Sequence, residues 1–419
     1  MRRFRRWAGS AALVVVLTAT AAGCGEVPRA APVIRTDQAS APLDESAHLR
    51  ITGLSPNERI SVAAEAVDAE NVTWQSGAEY RADRSGTVAL DTARPLNGSY
   101  QRPDGMGLFW SMVPSSGDSG QAVFVPRPRA DRGYDVWLAV AASGRRTAVR
   151  TLTRVGQGPG VTRQVLQPRL GGVAGELYLP APGTPRHPPV LLIGGTTEDE
   201  ALGPTAALLA TRGYPALSVA YPGQAGLPGT LTDVPLEYFR AAAQLLAGQP
   251  GTDPAHLAVL GYARGSEAAL QLAQDYPDLV HGAVLYAPAD RVGVAFHGPG
   301  AAWTLAGRPV PSGPIPVDRV NGPVLTLAGG QDPLWPAASA AQAVTAALDA
   351  AGHAYPHKTL VYPQAGHQVG TFPYQPGGIR LTDPLTGVVT DLGGSPAANA
   401  GARADGWPQV LSLLGSLSG

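Results

Sequence analysis

At 419 residues, with 44% hydrophobic and 15% charged side chains, the chain is long enough for two domains with sizeable cores. Its net charge of −1, with no basic block beyond the first six residues, argues against nucleic acid as the main partner. A single cysteine excludes an intrachain disulfide and thiol-based catalysis in the folded part.

Residues 1–23 have the grammar of a targeting segment. Arg2, Arg3, Arg5 and Arg6 precede a short apolar run, Ala11 to Leu17, and small residues then lead to Ala21-Ala22-Gly23-Cys24. Small side chains before a cysteine suit a lipoprotein signal peptidase, so Cys24 is the expected lipidation site. No other stretch reaches the roughly 18 apolar residues that span a bilayer. The expected protein is therefore held to a membrane by lipid and faces away from the cytoplasm. Residues 24–41 are Pro/Ala-rich and aperiodic, as a flexible tether would be.

From 42 to 155, short segments alternate apolar and polar positions, among them Ile60–Glu65, Val72–Gln75, Thr87–Asp91, Ala122–Val125 and Tyr134–Val140. Polar turns such as Ser55-Pro56-Asn57 punctuate them, which predicts an antiparallel β-sandwich. After a linker over 156–164 the pattern changes. Apolar runs at Pro189–Ile193, Ala216–Ala220, Leu257–Leu260, Ala283–Tyr286 and Val324–Ala328 alternate with helix-like segments such as Leu236–Ala247. Continuous apolar strands separated by helices predict an α/β domain over 165–419, with a parallel sheet covered on both faces.

Within that domain, Leu260-Gly261-Tyr262-Ala263-Arg264-Gly265 follows a strand and opens a helix. The frame is that of the G-x-S-x-G nucleophile elbow of α/β-hydrolases, with alanine where the nucleophile stands. Downstream come Gly330-Gln331-Asp332-Pro333 and Gln364-Ala365-Gly366-His367, each in a loop after a strand. Nucleophile, acid, base is the order of an α/β-hydrolase triad, so Asp332 and His367 are the candidate acid and base. The other seven histidines (48, 187, 256, 281, 297, 353, 357) carry no such context. Ser266, one helical turn beyond Ala263, and Thr196 or Thr197 are possible stand-ins for the missing nucleophile. Water activated by His367 is a route that needs none.

Further segments resemble the acyl-CoA thioester hydrolases and the bile acid-CoA:amino acid N-acyltransferases. In the C-terminal part these are Ile315 to Pro323, Gln331-Asp332-Pro333-Leu334-Trp335-Pro336, Tyr362-Pro363-Gln364-Ala365-Gly366-His367, and Asp233 to Phe239. Arg50 to Pro56, Tyr80-Arg81-Ala82-Asp83 and Asp104 to Met112 carry the likeness into the N-terminal half. The resemblance implies a β-sandwich packed on an α/β-hydrolase domain that acts on acyl groups of CoA thioesters. It implies a Ser or Cys nucleophile, which Ala263 replaces, and an oxyanion hole from the backbone N–H of Arg264 and a donor in the Gly195–Thr196 loop. The expected ligand is an acyl thioester or another hydrophobic acyl group. No metal-ligand cluster, phosphate-cradling loop or cofactor motif is present in the sequence, and it does not identify a protein partner.

Overall fold

A computed structural model describes residues 30–127, 133–168, 172–195, 202–295, 300–382 and 387–418. The candidate lipidation site, Cys24, and the segment that leads to it lie outside them.

Residues 33–155 form two sheets. The smaller joins Val33–Arg35, Arg50–Thr52 and Val88–Ala89 in that order, all antiparallel. The larger runs Ser40–Pro42, Ala148–Val155, Gly133–Ala142, Arg59–Val67, Thr73–Arg81, Asn97–Gly98, with Val113–Pro114 added on Thr73–Arg81. It is antiparallel except where Ser40–Pro42 lies parallel to Ala148–Val155. The period of two in the sequence fixes which face is buried. Ile60, Val62, Ala64 and Ala66 point into the core, while Arg59 and Ser61 face solvent.

Two sequence expectations change here. The tether does not reach Ala41, because Val33–Arg35 and Ser40–Pro42 are already paired in the sheets. Ala122–Val125 is not a strand of this domain. Val123 instead makes an isolated bridge to Gly377, far along the chain.

The C-terminal sheet has eight strands: β1 (Thr162–Leu166), β2 (Ala174–Leu179), β3 (Val190–Ile193), β4 (Ala216–Ala220), β5 (Ala258–Tyr262), β6 (Ala283–Tyr286), β7 (Val324–Gly329) and β8 (His357–Tyr362). Their order is β1-β2-β4-β3-β5-β6-β7-β8, with β2 antiparallel to both its neighbours and every later pairing parallel. The linker expected over 156–164 is cut short because β1 begins at Thr162. Its exposed edge position leaves no apolar alternation to read.

Helices α1 (Gly203–Thr211), α2 (Leu236–Ala247), α3 (Arg264–Asp275), α4 (Ala337–Ala350) and α5 (Pro396–Leu417) cover the sheet. Alternate strand residues point to opposite faces, and the cores divide accordingly. Val190, Leu192 and Leu260 pack with Leu208 of α1 and Trp407 and Val410 of α5. Leu191, Ile193 and Val259 pack with Phe239 of α2, Leu270 of α3 and Val344 of α4. Each such fully buried aliphatic or aromatic side chain contributes about 1.5–3 kcal/mol. This two-sided burial is why β3 and β6 are apolar throughout and why β7 is buried along its whole length.

The two domains share a core, since Leu49 and Phe109 belong to the same buried cluster as Leu208 and Trp407. Asp44 pins the seam. Its side chain is 1% exposed. It accepts from Arg212 Nε (3.1 Å) and Nη2 (3.0 Å) and from Trp407 Nε1 (2.8 Å). A buried carboxylate is tolerated only with such a full set of donors. A second seam runs through backbone bonds from Gly378 N to Ala122 O and from Ile379 N to Gly120 O, each 2.9 Å.

Candidate active site

Strand β5 runs into α3 through one residue, Ala263, with φ 54° and ψ −124°. A non-glycine residue rarely adopts this conformation, which costs of order 1–3 kcal/mol. The two flanking glycines allow the turn to close. A Cβ on Gly261 would stand 2.6 Å from Gly265 O and from Ser266 Cα, and one on Gly265 would stand 2.2 Å from Ile193 O. The elbow is therefore packed directly against the end of β3. Ala263 N donates to Tyr286 O at 3.0 Å, which ties the turn to β6 as well. The backbone of a nucleophile turn is built, and a buried methyl group occupies its apex.

Asp332 sits just beyond β7 and His367 just beyond β8, both at the same end of the parallel strands as Ala263. Their side chains are 1% and 2% exposed, and His367 Nδ1 lies 2.8 Å from Asp332 Oδ2. A carboxylate only accepts, so this bond places the proton on Nδ1. Leu334 N donates to the other carboxylate oxygen at 2.9 Å and fixes the acid's orientation. The His367 backbone is held in turn. Its N–H donates to Leu392 O (2.6 Å), and its carbonyl accepts from Tyr262 OH (3.1 Å). Tyr262 immediately precedes Ala263, so the elbow and the histidine loop are directly joined.

Several of these supports were missed in the sequence. Trp335 packs edge-on against the His367 ring at 4.9 Å, with Nε1 donating to Ala287 O (3.2 Å) and Pro288 O (3.1 Å). Tyr221, at the end of β4, donates to Gly194 O (3.0 Å) and Gly195 O (2.8 Å), and so anchors the loop after β3. Trp335 lies in a segment already quoted for the family resemblance, which was the one available signal. Nothing around Tyr221 announces its role.

The remaining candidates fall as follows. Arg264 is the first residue of α3, where a backbone N–H has no intrahelical acceptor. Its side chain turns aside, with Nη1 2.7 Å from Glu267 Oε1 and Nη2 2.8 Å from Val294 O. Glu267 is buried and also accepts from Trp303 Nε1 (3.0 Å) and Gly293 N (3.1 Å). Burial pushes its carboxyl above the usual range, with Arg264 acting in the opposite sense. Gly195 lies in the loop that Tyr221 anchors, whereas Thr196 and Thr197 lie outside the described residues. Ser266 is fully buried, and its Oγ accepts from Ala289 N at 3.2 Å. It is occupied in joining α3 to the loop after β6 and is placed as a packing residue. Among the described residues, no group of three or more His, Cys, Asp and Glu is arranged to hold a metal ion.

The N-terminal region of the acyl-CoA thioester hydrolases and BAAT matches residues 44–168, and the corresponding C-terminal region matches 304–416, together more than half of the chain. The chain belongs to this family. The rat acyl-coenzyme A amino acid N-acyltransferase 2 is 29% identical over 405 residues, covering 88% of this chain and 94% of its own. The human mitochondrial acyl-coenzyme A thioesterase 2 is 28% identical over 402 residues, covering 88% and 81%. Both likenesses run through the two domains together. Among solved structures, an alpha/beta hydrolase enzyme from a deep-sea metagenome overlaps 49% of this chain and 83% of its own. It is 18% identical, with a TM-score of 0.35. The strand order given above defines the fold of this family member.

Proposed function

We propose that this family member is a disarmed acyl thioester hydrolase or acyltransferase, which binds an acyl or other hydrophobic ligand and turns it over weakly or not at all. In this reading an antiparallel β-sandwich supports the α/β-hydrolase domain, in keeping with the two N-terminal sheets. The observation that carries it is the contrast at the site: a strained elbow and a buried Asp332–His367 pair, with a methyl group at residue 263. With its proton on Nδ1, His367 presents the Nε2 lone pair as a base, but Ala263 has no proton to give up. Oxyanion stabilisation from the Arg264 N–H and the Gly195–Thr196 loop acts only once something attacks.

Activity assays and ligand titrations test this directly. The full-length protein should hydrolyse short- and long-chain acyl thioesters and p-nitrophenyl esters at the buffer rate while binding a long-chain acyl-CoA saturably. The retained acid–base pair favours one competing reading, slow hydrolysis by water that His367 activates. Sustained turnover well above the buffer rate that disappears in His367→Ala would establish that reading and overturn the first.

The proposal also places the protein outside the cytoplasm, anchored by lipid on Cys24. Support comes from the basic start, the short apolar run and Ala21-Ala22-Gly23 before the only cysteine. Membrane fractionation should find the native chain in the pellet and Cys24→Ser released to the soluble fraction. Equal membrane retention of both would rule out the anchor.

A further inference from the structure

A cavity of about 130 Å³ lies beside His367, where the two domains meet. Val123 and Phe124 line it from the N-terminal domain, and Tyr262, His367, Gln375 and Arg403 line it from the other side. At roughly 30 Å³ per water it has room for about four waters, or for a small organic acid.

Arg403, on α5, is the unusual member of this lining. The residue is half-buried, yet its Nε is shut off from solvent and has no acceptor. Its hydrogen bond among the described residues runs from Nη2 to Gln375 O, at 3.1 Å. Burial pushes the guanidinium down to about 10, so it remains a cation at neutral pH, and the group that opposes this is Tyr262, not a carboxylate. Among the described residues, two other enclosed arginines have a carboxylate or two carbonyls for their charge, where Arg403 has the single carbonyl of Gln375. Arg145 has Glu58 at 2.7 Å, and Arg154 donates to the carbonyls of Leu43 and Glu45. A guanidinium partly withdrawn from water without an anion beside it is destabilised, and an anionic ligand would offset that.

We propose that this cavity is a subsite for a small carboxylate of roughly two to four carbons, with the guanidinium of Arg403 as its cation. The planar fork of an arginine matches a carboxylate better than it matches the neutral carbonyl of an ester or thioester. The subsite therefore selects a free acid over its ester. That deepens the reading of the Ala263–His367 region as a ligand site and rests on it.

Calorimetric titration of the full-length protein with butyrate and with butyramide, its neutral counterpart, tests this. The native chain should bind butyrate saturably and butyramide at least about ten-fold more weakly, as expected for a charge-assisted pair. Arg403→Gln should lose that preference, and Arg403→Lys should keep part of it. Equal affinity for acid and amide, no saturable butyrate binding, or an unchanged preference in Arg403→Gln would each overturn the subsite. The native-chain comparison needs no variant, so a folding defect cannot mask the answer. Butyrate binding without acyl-CoA binding would sink the acyl-thioester reading and leave the subsite standing, and the converse would sink the subsite alone.

Discussion

Ala263→Ser is expected to raise hydrolysis of p-nitrophenyl esters and acyl thioesters by on the order of 10³-fold over the native chain. Loss of a triad nucleophile costs about 10⁶ in well-organised hydrolases, and binding and the oxyanion hole retain a residual catalysis. The expected gain is a fraction of that loss because no other side chain has been tuned to the restored hydroxyl. The geometry favours recovery. Residue 263 already holds the positive φ of a nucleophile turn, and Tyr262 already binds the His367 carbonyl. His367 already shares a buried bond with Asp332. Initial rates measure the gain, and His367→Ala in the same background should return them to the native level. An Ala263→Ser protein no faster than native would mean that the site has decayed beyond its missing atom.

Gly265→Ala, placed in that Ala263→Ser background, is expected to remove most of the gain, about 10²–10³-fold, and to destabilise the domain by roughly 1–3 kcal/mol. The new Cβ would fall 2.2 Å from Ile193 O and 2.3 Å from Gly194 O, both backbone atoms that no rotamer change can move aside. Relief comes only if the elbow and the loop after β3 separate. That loop and the Arg264 N–H are the two sources proposed for the oxyanion hole, and a misplacement of about 1 Å can cost 10²-fold. Rates and the thermal unfolding midpoint of the double variant would be read together. A destabilised protein that kept its full gain would show that the contact is structural and that the oxyanion donors lie elsewhere.

Where burial was periodic, the fold was legible in the sequence. Ala216–Ala220, Ala283–Tyr286 and Leu236–Ala247 are apolar or amphipathic over their whole length, and the structure places elements with those bounds. Short edge strands were not legible. Val33–Arg35 and Thr162–Leu166 are defined by their neighbours' hydrogen bonds, and their own side chains are largely exposed. The misreading of Ala122–Val125 has a related cause: Phe124 packs on Trp74 and Tyr134 in the N-terminal core while Val123 bridges to Gly377, so the segment is held by scattered contacts and not by a strand ladder.

At the site, the elbow, Asp332 and His367 could be found because strand-end loops and glycine spacing are local signals. The groups that hold them are joined through space. Tyr221 reaches back 26 residues to Gly195, and Asp44 meets Trp407 across 363. Arg403 could not have been singled out either, because nothing in a helical segment shows that an arginine lacks an acid partner.

The account stands on one missing oxygen in an otherwise assembled site. Intact-mass spectrometry after exposure to a fluorophosphonate, which captures an activated serine, tests that most directly. The native chain should remain unlabelled, while Ala263→Ser should gain one adduct, located on the peptide that carries residue 263 and absent when His367→Ala is added. An adduct on the native chain would reveal a nucleophile other than the missing one and contradict the account.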